Sequence, residues 1–119
     1  MTGAARGIGA ATVRALAERG MRVVAVDGCL GDAHGLAGVD YPLATRADLG
    51  TLASDTVSIH VADVRDPHAM KRAAQHAVET FGRLDVGVAA AAVINGGRPL
   101  WESPAAELDA LWQTDVLGV

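Results

Sequence analysis

The sequence predicts an α/β fold in which parallel strands are covered by helices on both faces. Apolar runs of strand length alternate along the chain with segments that repeat apolar residues at helical spacing. A glycine-rich turn, residues 2–9, precedes the first of these helices. The chain has 119 residues, half of them apolar, and is therefore long enough to bury one core.

The glycine-rich turn leads into a predicted helix over residues 8–19, and Gly20 is typical of the cap that ends a helix. The apolar stripe of this helix is predicted from four residues at helical spacing: Ile8, Ala11, Leu16 and Ala17. The next run, residues 21–27, is almost wholly apolar and suits a parallel strand that is buried on both faces. Asp27 is therefore predicted at the carboxyl edge of the sheet.

Residues 28–54 interrupt this alternation, because glycines are scattered through them and helical spacing returns only at about 45–53. We expect an inserted loop with a short helix, called the insert below. Four further elements are predicted after it: a strand over 57–64, a helix over 67–81 that opens at Pro67, a buried strand over 84–93 and a final helix over 104–119.

Composition and charge exclude several classes of function. With 10 basic and 14 acidic residues and no basic stripe, the chain is not expected to bind nucleic acid. No apolar run approaches the ~20 residues of a membrane helix and no signal peptide is recognisable, so a cytoplasmic protein without a membrane partner is expected. The single cysteine, Cys29, and the dispersed histidines predict neither a disulfide nor a metal site. Those histidines are His34, His60, His68 and His76.

The glycine-rich turn is the segment with the clearest chemistry. Glycines permit a tight turn and let a pyrophosphate approach backbone amides at a helix N-terminus, where the helix dipole favours an anion. Asp27 lies about 20 residues further on, where a carboxylate can accept hydrogen bonds from both adenosine ribose hydroxyls and repel a 2′-phosphate. NAD is therefore favoured over NADP. Arg6 would be a counterweight if it met that phosphate, although a position facing solvent or the pyrophosphate is the simpler expectation.

Residues 2–9, Thr-Gly-Ala-Ala-Arg-Gly-Ile-Gly, resemble the Thr-Gly-x-x-x-Gly-x-Gly signature of the short-chain dehydrogenase/reductase family. The likeness runs along essentially the whole chain: Asp63-Val64 resembles the family's acidic position that holds the adenine ring, and residues 84–86 resemble the entry to its fourth strand. Residues 41–49, within the insert, also resemble a mycofactocin-coupled subgroup, whose extra loop is thought to help retain the nicotinamide cofactor.

The resemblance implies a Rossmann-type, doubly wound parallel sheet that binds NAD. It also implies an oxidoreductase that transfers hydride between NAD and a small-molecule alcohol or carbonyl substrate, and it allows a homo-oligomer in the complete form. The positions that it assigns to cofactor binding are Gly3, Arg6, Gly7, Ile8, Gly9, Asp27, Asp63, Val64, Ala89, Ala90 and Ala91.

The chain also departs from the family pattern. Residues 89–92 are four alanines where Asn-Asn-Ala-Gly is common, so room for a cofactor is kept but amide side chains are lost. Asp115 stands at the position of the asparagine in the catalytic tetrad, where an acid would perturb a proton relay or be an ordinary solvated carboxylate. The catalytic Tyr-x-x-x-Lys has no counterpart, because Tyr41, the only tyrosine, is followed by Thr45 four residues later and Lys71 is the only lysine.

By this resemblance the family's first strand would precede Thr2 and its catalytic half would follow Val119. We therefore expect residues 1–119 to form a partial NAD-binding Rossmann domain with an insert at about 28–54, incomplete because the first strand and the C-terminal half are missing, and inactive by itself. A misplaced start, a gene fragment and a damaged copy remain open explanations. The alternative function is a non-catalytic nucleotide-binding or interaction module.

Overall fold

A computed structural model describes residues 1–33 and 35–119. His34, one of the four dispersed histidines, lies outside the described residues. Two parallel strands, β1 (Val23–Asp27) and β2 (Val57–Val61), pair in register from Val23 opposite Val57 to Asp27 opposite Val61. The parallel α/β prediction is confirmed, and both strands end at the same edge of the sheet.

Both faces of β1 are covered, because successive side chains of a strand point in opposite directions. Val23 and Ala25 belong to a core cluster that includes residues of the first helix and of the insert. Val24 and Val26 belong to a second cluster, formed with alanines of the helix after β2. This two-sided burial is what the nearly continuous apolar run predicted.

Helix α1 (Gly7–Glu18) is closed by Gly20, two residues beyond its end, which has a φ of 77° and donates a backbone hydrogen bond to the Ala17 carbonyl. The predicted apolar stripe of α1 is wrong in part. Ile8 is 84% exposed and Ala11 is exposed, whereas Leu16 and Ala17 are half-buried. The residues that α1 buries are Gly9, Ala10 and Val13.

The insert contains a short 3-10 helix (Leu30–Asp32) and helix α2 (Arg46–Gly50). Thr45 and Asp48 form a capping box at the start of α2, since each side chain accepts a hydrogen bond from the other residue's backbone N–H. Leu49 of α2 is fully buried in the cluster beneath β1. The short helix predicted at about 45–53 is therefore present, and it anchors the far end of the insert.

Helix α3 (Pro67–Phe81) begins with Pro67 in its first turn and ends at Gly82, whose φ is 83°. Asp66 caps it by accepting a hydrogen bond from the backbone N–H of His68 at 2.8 Å. These bounds agree with the helix predicted over 67–81. The side chains that α3 buries are Ala69, Ala73 and Ala77, so that it packs closely on the sheet.

The predicted buried strand over residues 84–93 is wrong. These residues have no strand pairing in the described structure, and Leu84 and Val86 are 52% and 62% exposed. The physical reason is that, within the described residues, this segment has no ladder of backbone hydrogen bonds to a neighbour. Met1 exchanges hydrogen bonds with Val24 and Val26 of β1, while Thr2 donates one bond to the Val88 carbonyl. A single backbone bond does not make a ladder.

The predicted final helix over 104–119 is also revised. Helix α4 (Ala105–Leu111) is followed by a π-helical turn (Trp112–Val116), and a separate 3-10 turn (Leu100–Glu102) precedes it. A π-turn widens the helix by one residue and is frequent at functional sites. Helical spacing of apolar residues cannot distinguish such a turn from a regular helix.

Candidate functional site

A cavity of about 570 Å³ lies at the carboxyl ends of β1 and β2. Its volume is in the range of small-molecule and cofactor sites. Ten of the predicted cofactor-binding residues line it: Gly3, Arg6, Gly7, Ile8, Gly9, Asp27, Asp63, Val64, Ala90 and Ala91. Ala89 does not line the cavity; it lines a neighbouring apolar groove with Leu84 and Val86.

Two glycines of the turn have backbone conformations that side chains resist. Gly3 and Gly7 have φ values of 63° and 54°, and a Cβ on Gly3 would also lie 2.5 Å from the Ala90 carbonyl oxygen. Gly9 lies against the backbone of Gly3, so closely that no Cβ would fit there. Gly3 therefore lies close both to Gly9 in the first turn of α1 and to Ala90 on the opposite wall of the cavity.

The N-terminus of α1 opens into this cavity with its amides uncapped by a side chain. Arg6, the N-cap residue, makes no side-chain capping bond, and the first turn of α1 contains no acidic residue. The first amides of a helix have no partner within the helix, and they carry its positive dipole end. An anionic group placed here would meet backbone donors and no competing carboxylate from the helix itself.

Thr2, which sequence reasoning did not single out, joins the glycine turn to the four alanines of residues 89–92, called the alanine segment below. Its hydroxyl oxygen accepts hydrogen bonds from the backbone amides of Ala90, at 3.1 Å, and Ala91, at 3.3 Å. The contact spans 88 residues of sequence, so no local pattern could have revealed it. It holds the alanine wall of the cavity against the turn.

The Asp27 carboxylate is held in place by two backbone amides. Ala5 N–H donates to its Oδ2 and Cys29 N–H to its Oδ1, each at 3.0 Å. Each carboxylate oxygen has a further lone pair for a ligand hydroxyl.

Cys29, which donates one of these bonds, has a left-handed backbone conformation with a φ of 49°. Its thiol is buried, and this burial together with the charge of Asp27 raises the pKa of the thiol to about 11.

Asp63 is paired with Arg65, which is a second residue that the sequence analysis missed. The Arg65 guanidinium contacts both carboxylate oxygens, with Nη2 to Oδ2 at 2.6 Å and Nε to Oδ1 at 3.0 Å. Burial opposes the charged form of Asp63, but the hydrogen bonds and charge of Arg65 prevail and lower its pKa. Asp63 and Arg65 both line the cavity as a fixed ion pair.

The insert supplies a further wall of the cavity. Sequence patterns did not predict which residues of the insert form this wall. Its lining residues are Leu30, Leu36, Tyr41, Leu43 and Ala44. The hydroxyl oxygen of Tyr41 accepts a hydrogen bond of 2.9 Å from the backbone amide of Ile94 on the opposite side. The insert therefore crosses the cavity and is attached on its far side.

Asp115 lies beside the cavity and does not line it. Its Oδ1 accepts a hydrogen bond of 2.9 Å from the backbone amide of Val93, which does line the cavity. The adjacent residue, Thr114, lines the cavity too, and its buried hydroxyl has no hydrogen-bond partner within the described residues. The π-helical turn therefore contributes a wall anchor and one buried polar group.

Residues 1–33 and 35–119 offer neither a metal centre nor a membrane-spanning helix. This part of the chain contains no cluster of three or more His, Cys, Asp or Glu side chains that could hold a metal ion. None of its helices is long and apolar enough to cross a membrane.

The sequence profile of the short chain dehydrogenase family matches residues 1–119. The chain belongs to the short-chain dehydrogenase/reductase family. An NAD-dependent oxidoreductase of Mycobacterium tuberculosis is 39% identical over 125 residues, which cover 100% of this chain and 42% of that protein. A (-)-trans-carveol dehydrogenase of Rhodococcus erythropolis is 38% identical over 93 residues, which cover 72% of this chain and 32% of that protein.

Solved structures of this family share the fold. Carveol dehydrogenase from Mycobacterium avium, in complex with NAD, superposes with a TM-score of 0.82 at 31% identity, over 99% of this chain and 46% of that one. A short chain dehydrogenase from Mycobacterium paratuberculosis bound to NAD gives 0.86 at 28% identity, over 99% and 44%. The chain thus spans less than half the length of these relatives.

Proposed function

We propose that this chain is the NAD-binding portion of a short-chain dehydrogenase/reductase that transfers hydride between NAD and an alcohol or carbonyl substrate. The observation that carries the proposal is the position of Asp27: its carboxylate is fixed by the Ala5 and Cys29 amides beside the glycine turn and faces the same cavity. The relatives in complex with NAD support the choice of cofactor.

The residues of the cavity fit the parts of a dinucleotide. The uncapped amides at the start of α1 suit the pyrophosphate, and the space that Gly3 and Gly9 leave free of side chains lets a ligand approach the backbone. Asp27 would accept hydrogen bonds from the adenosine ribose hydroxyls, and Asp63 with Val64 would border the adenine ring. When bound, NAD supplies the ring that accepts or gives up the hydride.

We propose further that the 119 residues do not catalyse this reaction by themselves. The hydroxyl of Tyr41 is hydrogen-bonded to the Ile94 amide, and Lys71 is an exposed residue of α3 that does not line the cavity. These two residues therefore do not form a tyrosine and lysine pair that could act together on a substrate. Purified chain should form no NADH from a panel of alcohols, once host dehydrogenases have been excluded by an identically purified mock sample.

A non-catalytic nucleotide-binding module is the second candidate, favoured by the same arrangement of Tyr41 and Lys71. The DNA sequence that flanks the coding sequence distinguishes the two functions. An in-frame downstream Tyr-x-x-x-Lys would support the enzyme, and a closed reading frame without it would support the binding module.

The cofactor proposal is tested by calorimetric titration of NAD and NADP into the wild-type chain and two variants. The wild type should bind NAD more tightly, because the Asp27 charge repels a 2′-phosphate. Asp27→Asn should reduce the ratio of NAD to NADP affinity by about tenfold, as expected for the loss of a charged hydrogen-bond acceptor. Asp55→Asn, on an exposed residue outside the cavity, is the matched control and should leave that ratio unchanged. Equal or tighter binding of NADP to the wild type would contradict the proposal.

A further inference from the structure

The guanidinium of Arg6 is bound by the insert. Its Nη2 donates a hydrogen bond of 2.6 Å to the carbonyl oxygen of Pro42, 36 residues further along the chain. Pro42 is adjacent to Tyr41, whose hydroxyl is bound to Ile94 across the cavity. Arg6 thus fixes the insert at the glycine turn, and Tyr41 fixes it at the opposite wall.

The charge of Arg6 also acts on Asp48, a second residue of the insert. Hydrogen bonds from the backbone and side chain of Thr45, and then the positive charge of Arg6, lower the pKa of Asp48 at the start of α2. The guanidinium charge is therefore close enough to the insert to act on a side chain at the start of α2.

We propose that Arg6 is a positioning residue that fixes the insert at the glycine turn, and is not a ligand for a 2′-phosphate. This inference depends on the proposed function for its statement about dinucleotides. A guanidinium recognises phosphate by directing its planar N–H groups at the anion. In this chain the Pro42 carbonyl accepts a hydrogen bond from one of those groups, whereas the Asp27 carboxylate is held by the amides of Ala5 and Cys29.

The structural half of the proposal is tested without a ligand, by amide hydrogen exchange followed by NMR. Arg6→Met removes the donor and keeps an unbranched side chain. It should accelerate exchange of the Gly31 amide, which is bonded to Ala44, and of the Ile94 amide by about fivefold. The amides of β1 should be unaffected. Arg14→Met, on an exposed arginine within α1, is the matched control and should change neither amide.

Three results would overturn this half. One is an Arg6→Met variant in which Gly31 and Ile94 exchange as in the wild type, and a second is one in which β1 is deprotected equally, since Arg6 would then support the whole fold and not the insert. A wild-type chain that leaves both reporter amides unprotected would also contradict the proposal.

The cofactor half is tested in the background that lacks the Asp27 charge. The ratio of NADP to NAD affinity should be the same, within about twofold, in Asp27→Asn and in Asp27→Asn with Arg6→Met, because a loosened insert affects both dinucleotides and an Arg6 held by Pro42 does not reach the 2′-phosphate. A fall of about tenfold or more in this ratio on removing Arg6 would show that Arg6 binds the 2′-phosphate. If neither dinucleotide binds the wild type, the proposed function fails, and the exchange comparison still decides whether Arg6 holds the insert.

Discussion

Gly9, in the first turn of α1, lies against the carbonyl oxygen of Gly3 with no room for a side chain between them. This contact sets how closely the helix approaches the turn that precedes it. It therefore sets the position of the uncapped amides that face the cavity. Conformational freedom is not the reason for glycine at position 9, because its φ is not positive; the reason is steric.

Gly9→Ala should destabilise the chain by about 1–3 kcal/mol, since the added methyl group meets backbone atoms that cannot rotate away. Gly50→Ala is the matched control, because Gly50 is also helical and a Cβ there would meet nothing within 4 Å. Urea unfolding followed by circular dichroism measures both. A Gly9→Ala variant as stable as Gly50→Ala would show that the close approach of α1 to the turn is not required.

Asp115 should act through its position as a hydrogen-bond acceptor and not through its charge. Asp115→Asn keeps an oxygen for the Val93 amide and should stay within about 0.5 kcal/mol of the wild type, whereas Asp115→Ala should lose about 1 kcal/mol. Thermal melts of the two variants side by side test this. Equal destabilisation by both substitutions would contradict it, because then the charge itself would matter.

Local rules predicted the parts of the site that depend on neighbouring residues. The glycine turn, the strand that ends at Asp27 and the proline that opens α3 were all visible, since each follows from spacing over a few residues. The apolar face of α1 was only partly correct. Helical spacing fits more than one face of an alanine-rich helix, and the small Gly9 and Ala10, not Ile8, allow the closest packing.

Contacts between distant segments could not be predicted in this way. Thr2 binds amides 88 and 89 residues away, and Tyr41 binds an amide 53 residues away. Both depend on the path of the insert and of the alanine segment, for which the sequence has no period. The strand expected over 84–93 failed for a related reason: apolar composition favours a strand, but only pairing along a neighbour makes one.

Stability should fall below about pH 6.5 because of His60. Its ring stacks on His76, with centroids 5.1 Å apart, and burial, followed by the charges of His76 and Arg72, lowers its pKa from 6.5. As the pH falls, the unfolded state therefore takes up a proton before the folded state does. Stability therefore declines as the pH falls from the pKa of His60 in the unfolded state to its lower pKa in the folded state.

His60→Gln should flatten this decline, which urea titrations between pH 5 and 8 would measure. His68→Gln, on an exposed histidine at the start of α3, is the control and should leave the decline as in the wild type. A decline equally steep in His60→Gln would place its origin in other groups.

The central claim, that the cavity at the ends of β1 and β2 holds NAD, is tested most directly by titrating NAD into isotope-labelled chain and following backbone amides by NMR. The account predicts saturable shifts concentrated at Gly3, Gly7, Asp27, Asp63 and Ala91, with none around Leu84. Shifts confined to the groove lined by Leu84, Val86 and Ala89, or no saturable binding at all, would contradict it.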